Sequence, residues 1–227
     1  MKIKKEILVF AAHPDDEILG CGGTLKKYFL KGYKVSVVFF TNGVSARNEY
    51  NIKKNILRRK LEAKKAAKVI GINKCYFNDF KDNQLDTYPL IKIIKIVEKK
   101  IKAMKPEVIF THYENDLNVD HQMISKAVIT ACRPIKNNKV KKLLFFEVPS
   151  STEWQIKKKN IAFSPNFFED ISTVKRYKLD ALKCYKSELR EWPHPRSIKG
   201  VQSLFNWRGS TIGVDAAEAF MVGRIIK

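Results

Sequence analysis

Short apolar runs alternate with longer segments of helical periodicity along the first two thirds of the chain. Apolar residues dominate these runs, which have the length of strands. The runs predict strands at residues 6–12, 35–41, 75–77, 107–111 and 142–148. Helices are predicted at residues 19–31, 52–70, 89–104 and 120–132, and a polar loop at 78–87. The alternation predicts an α/β fold with a doubly wound, mostly parallel sheet of Rossmann-like type.

The pattern changes beyond residue 149, where the regular alternation is lost. It predicts a strand at 163–171 and helices at 173–185 and 197–207. Prolines on both sides of His194 exclude a regular helix at that point. No internal repeat, linker or low-complexity segment divides the sequence. We therefore expect one domain over residues 1–227, with a core at about 1–149 and a C-terminal elaboration at about 150–227.

The composition is that of a packed globule with a strongly basic surface. Hydrophobic residues make up 44% of the chain, which argues against disorder. The 44 Lys and Arg exceed the 23 Asp and Glu, and the net charge of +21 could indicate a nucleic acid or an anionic surface as partner. However, only nine of the basic residues are Arg, and the lysines are dispersed over predicted helix faces. We interpret the charge as a solvated surface with some attraction for an anionic substrate, and predict no nucleic-acid partner.

The four cysteines lie more than 50 residues apart and form no C-x-x-C pair. This spacing favours reduced thiols in a cytoplasmic protein over a zinc cluster or a disulfide framework. Residues 1–5 resemble the basic start of a signal peptide, but the apolar segment that follows is too short for one. No run approaches the roughly 18 apolar residues of a membrane span. We expect a soluble, cytoplasmic protein without stable membrane insertion.

The most informative motif, His13-Pro14-Asp15-Asp16-Glu17, follows the first predicted strand. It combines an imidazole with three carboxylates, which are ligands that divalent metals such as zinc prefer. Pro14 favours an extended His13, and the following turn would bring Asp16 to the same side, with Asp15 over an open coordination position. Alternatively, the acids only favour the positive end of the next helix. The full cluster at the end of a strand favours the metal site.

A third ligand is expected because two protein groups would hold a metal weakly. The carboxyl ends of parallel strands form the ligand crevice of such sheets, and a second cluster follows the strand at 107–111. His121 is the best candidate there, and His112 is a weaker one. Asp120 would either orient an imidazole or cap the helix. His194 cannot be placed by its spacing.

These motifs resemble those of the PIG-L/LmbE family of zinc-dependent N-acetylglucosaminyl deacetylases. The resemblance is carried by His13-Pro14-Asp15-Asp16-Glu17, Thr111-His112, Asp116 and Asp120-His121, and also by Thr41-Asn42-Gly43, Arg59-x-x-Glu62-x-x-x-Ala66 and Asp82-Asn83-x-Leu85. It covers roughly residues 6–135. The tail motifs at 193–197 and 217–220 resemble those of bacterial members that act on sugars.

The resemblance implies an LmbE-like fold and an enzyme that removes the acetyl group from an N-acetylated amino sugar or sugar conjugate. One zinc ion, or another divalent metal, would be bound by His13, Asp16 and His121. Asp15 would act as the general base. The residues implied to bind the sugar are Arg59, Asp82 and, in the tail motif, Arg196.

One position departs from the family pattern. Many relatives carry a histidine three residues before the last metal ligand, where it is thought to stabilise the oxyanion, but this chain has Asn118. Asn can donate a hydrogen bond but supplies no positive charge. Our hypothesis is that His194 provides an imidazolium instead, or that Asn118 suffices as a neutral donor.

Two other functions are alternatives. A metal-dependent phosphoesterase would also use Asp-rich strand ends, and a basic nucleic-acid-binding module could carry a structural metal. The favoured partner is a small N-acetyl amino sugar or its conjugate, with an anionic group allowed. The sequence leaves the oligomeric state open, a homo-oligomer included.

Two further features have competing interpretations. The glycines in Gly20-Cys21-Gly22-Gly23-Thr24 could form a backbone anion nest or allow close packing, and packing is favoured. Aromatic residues of the C-terminal part could stack on a sugar, although aromatic residues at such spacing are more often core. The candidates are Trp154, Tyr185, Trp192 and Trp207.

Overall fold

The computed structural model describes residues 5–46, 50–136, 138–156 and 162–227, so the predicted basic start at residues 1–4 lies outside the described residues. Within these ranges, seven strands form one sheet: β1 (Glu6–Ala11), β2 (Lys34–Thr41), β3 (Lys74–Phe80), β4 (Val108–His112), β5 (Lys142–Phe146), β6 (Phe167–Asp170) and β7 (Ala217–Ile225). The α-helices of the same ranges are α1 (Asp16–Leu30), α2 (Ile52–Ile70), α3 (Leu90–Met104), α4 (Val119–Ala131), α5 (Lys175–Leu182) and α6 (Ile198–Ser210). Among them, no helix is long and apolar enough to cross a membrane.

The strand order is β3-β2-β1-β4-β5-β7-β6, and the first five strands of the chain are parallel. The prediction of a doubly wound, mostly parallel α/β sheet is therefore confirmed. The order reverses between β1 and β4, which are neighbours in the sheet. A crevice forms beyond the carboxyl ends of strands at such a switch point, and ligands bind there in open α/β sheets.

Both faces of the sheet are buried, which explains the continuous apolar runs. Ile7 and Val9 pack on one face in a core shared with α1, α2, α5 and α6, and Leu8 and Phe10 pack on the other face against α3 and α4. Successive side chains of a strand point to opposite faces, so a strand covered on both sides needs apolar residues at every position. The core thus holds the ends of β1 and β4 in a fixed position.

The elements differ from the prediction mainly at their ends and in the C-terminal part. β3 extends to Phe80, into the predicted polar loop, and α1 begins at Asp16, three residues earlier than expected. β7 was not predicted as a strand, although it pairs antiparallel with both β5 and β6. Its Glu218 is buried, so the strand lacks the apolar pattern of the others.

Glu218 binds backbone amides of α1 just after the point where this helix is kinked. The helix is kinked at Cys21, and its second half begins with unpaired amides. The Glu218 carboxylate accepts hydrogen bonds from Gly23 N at 2.9 Å and Thr24 N at 2.7 Å. Lys178 Nζ lies 2.5 Å from Glu218 Oε1. The protein's own carboxylate therefore occupies the anion site that the amides of Gly23 and Thr24 form.

The same glycines also allow close packing. A Cβ atom on Gly20 would overlap the Phe146 ring, and one on Gly23 would lie 2.8 Å from the Ile171 side chain. Larger residues would separate α1 from these neighbours. Both interpretations of the glycine-rich segment are therefore correct.

The buried Glu218–Lys178 pair leads to a prediction about stability. We expect Glu218→Gln to lower the free energy of unfolding by about 3–5 kcal/mol, because Lys178 would remain buried without its counter-charge. Asp215→Asn is the control, since the ion pair of Asp215 with Lys175 is exposed and worth about 1 kcal/mol or less. Urea unfolding measures both variants. Equal, small losses in the two variants would contradict the prediction.

Candidate active site

Three of the four histidines meet where β1 and β4 end. The rings of His112 and His121 stack with their centroids 3.8 Å apart, and the ring centroids of His13 and His121 lie 5.3 Å apart. His112 is the last residue of β4, and His121 lies in the first turn of α4. The pairing of β1 with β4 therefore brings residues more than 100 positions apart into contact.

The three residues predicted to bind metal, His13, Asp16 and His121, lie together and are buried. His13 Nδ1 and His121 Nε2 lie 3.2 Å and 3.4 Å from Asp16 Oδ2, and these two nitrogens are 3.3 Å apart. Tetrahedral zinc with bonds of about 2.0–2.1 Å places two ligand nitrogens about 3.3 Å apart. The donor types and their spacing therefore fit a small divalent cation such as zinc.

His112 has a different environment from the other two rings. Its Nε2 accepts the backbone N–H of Ala12 at 2.8 Å, so the lone pair of this nitrogen is already used. Burial, together with the neighbouring His121, holds the pKa of His112 well below its usual value. A neutral His112 thus packs against His121 and joins the end of β4 to the end of β1.

Asp116 fixes the orientation of His121. Its Oδ1 lies 3.0 Å from His121 Nδ1, and it accepts hydrogen bonds from the hydroxyls of Ser151 and Thr152. Burial opposes ionisation, but His121 and these hydroxyls lower the pKa of Asp116 to about 2. Such a carboxylate holds the ring so that Nε2 faces the other ligands. The sequence placed Asp116 in a motif but gave no sign of this role, because its hydroxyl partners lie 35 and 36 residues further along the chain.

The other ring nitrogen of His13 faces two carboxylates. His13 Nε2 lies 2.8 Å from Asp82 Oδ1 and 3.3 Å from Asp120 Oδ2. Asp120 also accepts the backbone N–H groups of Asn83 and Leu85, at 2.7 Å and 2.9 Å. Of the two roles considered for Asp120, its position suits the orientation of an imidazole. His13, Asp82 and Asp120 are a second group close enough to bind a cation, but they share His13 with the first.

Burial alone would lower the pKa of His13 and His121. The Asp16 carboxylate outweighs this effect in both, with help from Asp120 and Asp82 at His13 and from Asp116 at His121. The pKa of His13 is held well above its usual value, and that of His121 rises to about 9. Without a metal, the cluster therefore binds protons at neutral pH.

Asp15 is buried beside the candidate metal group in a strained conformation. Its φ of 131° lies in the region that non-glycine residues rarely adopt. The Asp15 N–H donates to Glu17 Oε2 at 3.0 Å, and Tyr185 Oη donates to Glu17 Oε1 at 2.5 Å. Burial raises the pKa of Glu17 to about 8. Strain of this kind is held by surrounding contacts and is common at functional sites.

Two guanidinium groups face the Asp15 carboxylate. Arg196 Nη1 lies 3.4 Å and Arg59 Nη2 3.9 Å from Asp15 Oδ2. Both also face Glu188, with Arg59 Nη1 2.7 Å from Glu188 Oε1. Arg59 is almost fully buried, whereas the Arg196 side chain is 22% exposed. Glu188 was not predicted, because its chain segment carries no recognisable motif.

Asn118 is the N-cap residue of α4. Its Oδ1 accepts the N–H of Asp120 at 2.8 Å, and its Nδ2 donates to Asn83 Oδ1 at 2.9 Å. The side chain therefore joins the start of α4 to the loop after β3. Because the amide nitrogen carries two hydrogens, its predicted role as an oxyanion donor would use the one that does not bond to Asn83.

His194 lies at the outer side of Arg196. Its Nδ1 accepts the Arg196 N–H at 3.1 Å, and its ring makes an edge contact with Trp154 at 5.6 Å. Partial burial and the charges of Arg196 and Arg190 lower its pKa. The ring is then neutral at pH 7, with the proton on Nε2. His194 can donate a hydrogen bond there, but a neutral ring supplies no imidazolium charge.

Comparison with known proteins places the chain among relatives of one family. The family model described as GlcNAc-PI de-N-acetylase, PIG-L, matches residues 8–132. The uncharacterized deacetylase YaiS of Escherichia coli is 31% identical over 81% of this chain and 92% of its own length. A probable N-acetyl-alpha-D-glucosaminyl L-malate deacetylase 2 of Bacillus cereus is 28% identical, over 82% and 84% of the two chains.

A solved structure shows the same fold. The N,N'-diacetylchitobiose deacetylase of Pyrococcus horikoshii superposes with a TM-score of 0.78 and covers 97% of this chain and 84% of its own. Its sequence is only 21% identical, so the likeness concerns the fold. The C-terminal strands and helices are part of the shared architecture, since almost the whole chain is covered.

Loss of the Asp116 carboxylate should weaken metal binding. We expect Asp116→Asn to lower the affinity for zinc by about 10–100-fold, because His121 would lose the partner that orients it. Glu114→Gln is the control, since Glu114 is an exposed carboxylate of the same loop. Competition with a chromogenic chelator measures the affinity. An unchanged affinity in Asp116→Asn would show that His121 is not held in this way.

Metal binding should also depend on pH. The cation must displace protons from His13 and His121, and the pKa of His121 is about 9. We therefore expect the apparent zinc affinity to rise from pH 6.5 towards pH 9, by about tenfold per pH unit for each proton displaced. The same chelator competition, repeated across this range, measures the slope. A pH-independent affinity would mean that the two rings are neutral before the metal binds.

Proposed function

The chain belongs to the GlcNAc-PI de-N-acetylase (PIG-L) family, and we propose that it is a zinc-dependent hydrolase that removes the acetyl group from an N-acetylated amino sugar or sugar conjugate. The observation that carries the proposal is the convergence of His13, Asp16 and His121 beside the buried carboxylate of Asp15. The relatives that act on N-acetyl sugars support this substrate class.

The cation would be held by His13, Asp16 and His121, with the outer nitrogens of the two rings bonded to carboxylates. When bound, it would polarise the acetyl carbonyl and lower the pKa of a water molecule. Asp116 on one ring, and Asp82 with Asp120 on the other, fix which nitrogen faces the cation. Zinc is our choice because imidazole and carboxylate together suit it, although other divalent metals share these ligands.

Asp15 would act as the general base. Its carboxylate would accept a proton from the attacking water and return one to the amine that leaves. One of its oxygens, Oδ1, has no hydrogen-bond partner among the described residues, whereas Oδ2 faces the two arginines. The guanidinium groups offset the cost of burying the carboxylate and hold it in place.

The residues proposed to bind the sugar differ in how they can act. Arg196 is partly exposed, so it can contact a substrate while it remains next to Asp15. Arg59 is buried and contacts Glu188, and Asp82 is buried and contacts His13. The effect of either residue on the sugar would therefore pass through its neighbour. Asn118 and the neutral His194 are the candidate donors to the oxyanion.

A substrate comparison tests the reaction class. Purified protein with zinc is incubated with N-acetylglucosamine, N,N'-diacetylchitobiose and an N-acetylglucosamine phosphate conjugate, and with an unrelated phosphomonoester. We expect acetate release from the acetylated sugars, and loss of that release with a chelator. Phosphate release without acetate would favour the phosphoesterase alternative. Tight, salt-dependent binding of DNA or RNA without hydrolysis would favour the nucleic-acid module.

The role of Asp15 leads to a separate prediction. Asp15→Asn should keep the bound metal but lower kcat by roughly 100-fold or more, because an amide cannot accept the proton. Asp79→Asn is the control, since Asp79 is an exposed carboxylate paired only with Lys60 among the described residues. Metal content and initial rates are measured for both. An Asp15→Asn enzyme that deacetylates at the normal rate would contradict the assignment.

A further inference from the structure

Arg196 connects the candidate active site to the protein surface. Its Nη1 lies 3.4 Å from Asp15, and its Nε donates to Ser150 Oγ at 2.7 Å and to Pro149 O at 3.4 Å. Two surface turns, residues 149–155 and 192–197, therefore meet beside Asp15. We call them together the outer rim.

The outer rim exposes two indoles. The Trp154 side chain belongs to the first turn and Trp192 to the second, and the two residues are 52% and 53% exposed. The predicted core role is thus wrong for both, whereas Tyr185 is fully buried. An exposed indole offers a flat apolar face with a polar N–H, and it suits a ligand where polar groups lie beside it. Of the two, Trp154 lies against His194, whereas the Trp192 ring is 4.5 Å from Lys199 Nζ.

Hydrogen-bonding groups lie beside Trp154. The neutral His194 ring carries its proton on Nε2, because Nδ1 accepts the Arg196 N–H. Arg196, which is partly exposed, lies on the side of Asp15. A flat apolar face with hydrogen-bonding groups at its edge matches a pyranose ring, which has C–H groups on its faces and hydroxyls around it. A purely hydrocarbon ligand would leave these polar groups without partners.

The position of Trp154 relative to Asp15 determines which ring of a substrate could stack on the indole. The Arg196 guanidinium lies next to Asp15, whereas the backbone N–H of Arg196 donates to His194, whose ring contacts Trp154. The sugar that carries the acetamido group must lie next to Asp15 and the candidate metal ligands. The indole is therefore placed for a neighbouring ring, not for the reacting one.

We propose that Trp154, together with His194, forms a second sugar subsite, and that the substrate is a disaccharide or longer glycoside instead of a free monosaccharide. The inference rests on the proposed deacetylase function and makes its substrate class more specific. Trp154 contributes the stacking surface, and His194 Nε2 donates to a hydroxyl of the second ring, which leaves Asn118 as the candidate donor to the oxyanion. An apolar chain attached to the sugar is the competing occupant, because Leu117 and Ile156 on neighbouring loops are also exposed.

The test compares three substrates that share the reacting ring: N-acetylglucosamine, N,N'-diacetylchitobiose and the octyl glycoside of N-acetylglucosamine. We expect Trp154→Ala to lower the ratio of kcat/KM for the disaccharide to that for the monosaccharide by about tenfold, mainly through KM. Trp154→Phe should recover most of the loss. Trp207→Ala is the matched control, because Trp207 is an exposed indole about 15 Å along α6 from the second turn. This control should leave the ratio unchanged.

Two results would overturn the proposal. One is a ratio that is unchanged in Trp154→Ala, and the other is a loss confined to the octyl glycoside, which would assign the indole to an apolar chain. Calorimetry separates this proposal from the deacetylase function itself. In an Asp15→Asn background, removal of the Trp154 indole should weaken disaccharide binding by the same factor. If the protein with Asp15 intact releases no acetate but binding still depends on Trp154, the subsite stands and the proposed reaction is wrong.

Discussion

The buried carboxylate of Asp16 is the constraint on which the rest of the site depends. One of its oxygens lies 3.2–3.5 Å from ring nitrogens of His13, His121 and His112, and it also accepts the His13 N–H at 2.8 Å. A buried carboxylate needs positive charge nearby, which either protons on the imidazoles or a divalent cation can supply. The raised pKa values of His13 and His121 follow from the first arrangement, since the Asp16 carboxylate favours protonated rings. The proposed metal would replace these protons, and the ring spacing already suits it.

Around this centre, a second layer of carboxylates fixes each ring. Asp116 holds His121 and is itself held by Ser151 and Thr152, while Asp82 and Asp120 face His13. Each of these acids also joins two chain segments. Loss of any one would therefore loosen the backbone as well as a ring, and metal affinity is a more direct measure of their role than activity alone.

The C-terminal part of the chain supplies much of this support. Tyr185, Glu188 and Arg196 come from beyond residue 149. Tyr185 donates to Glu17, Arg196 faces Asp15, and Glu188 faces the arginines beside Asp15. The candidate metal ligands all lie within residues 8–132, which the family model matches. The candidate metal ligands thus lie in the segment that the family model matches, whereas these three supporting residues lie outside it. There is a physical reason for this difference. Metal ligands have to be of a few residue types, whereas a strained aspartate can be held by many combinations of charge and packing.

The sequence by itself determined the parallel strands of the sheet and the local pair His13 and Asp16. Strands covered on both faces must be apolar throughout, and a turn of three residues brings its ends together whatever surrounds it. Only the tertiary structure decided the role of Asp116 and the partners of Asp15. β7 was missed because its buried Glu218 interrupts the apolar pattern, and its partner amides lie 195 and 194 residues away. Contacts of this kind depend on how distant segments pack, and no local pattern of residues records them.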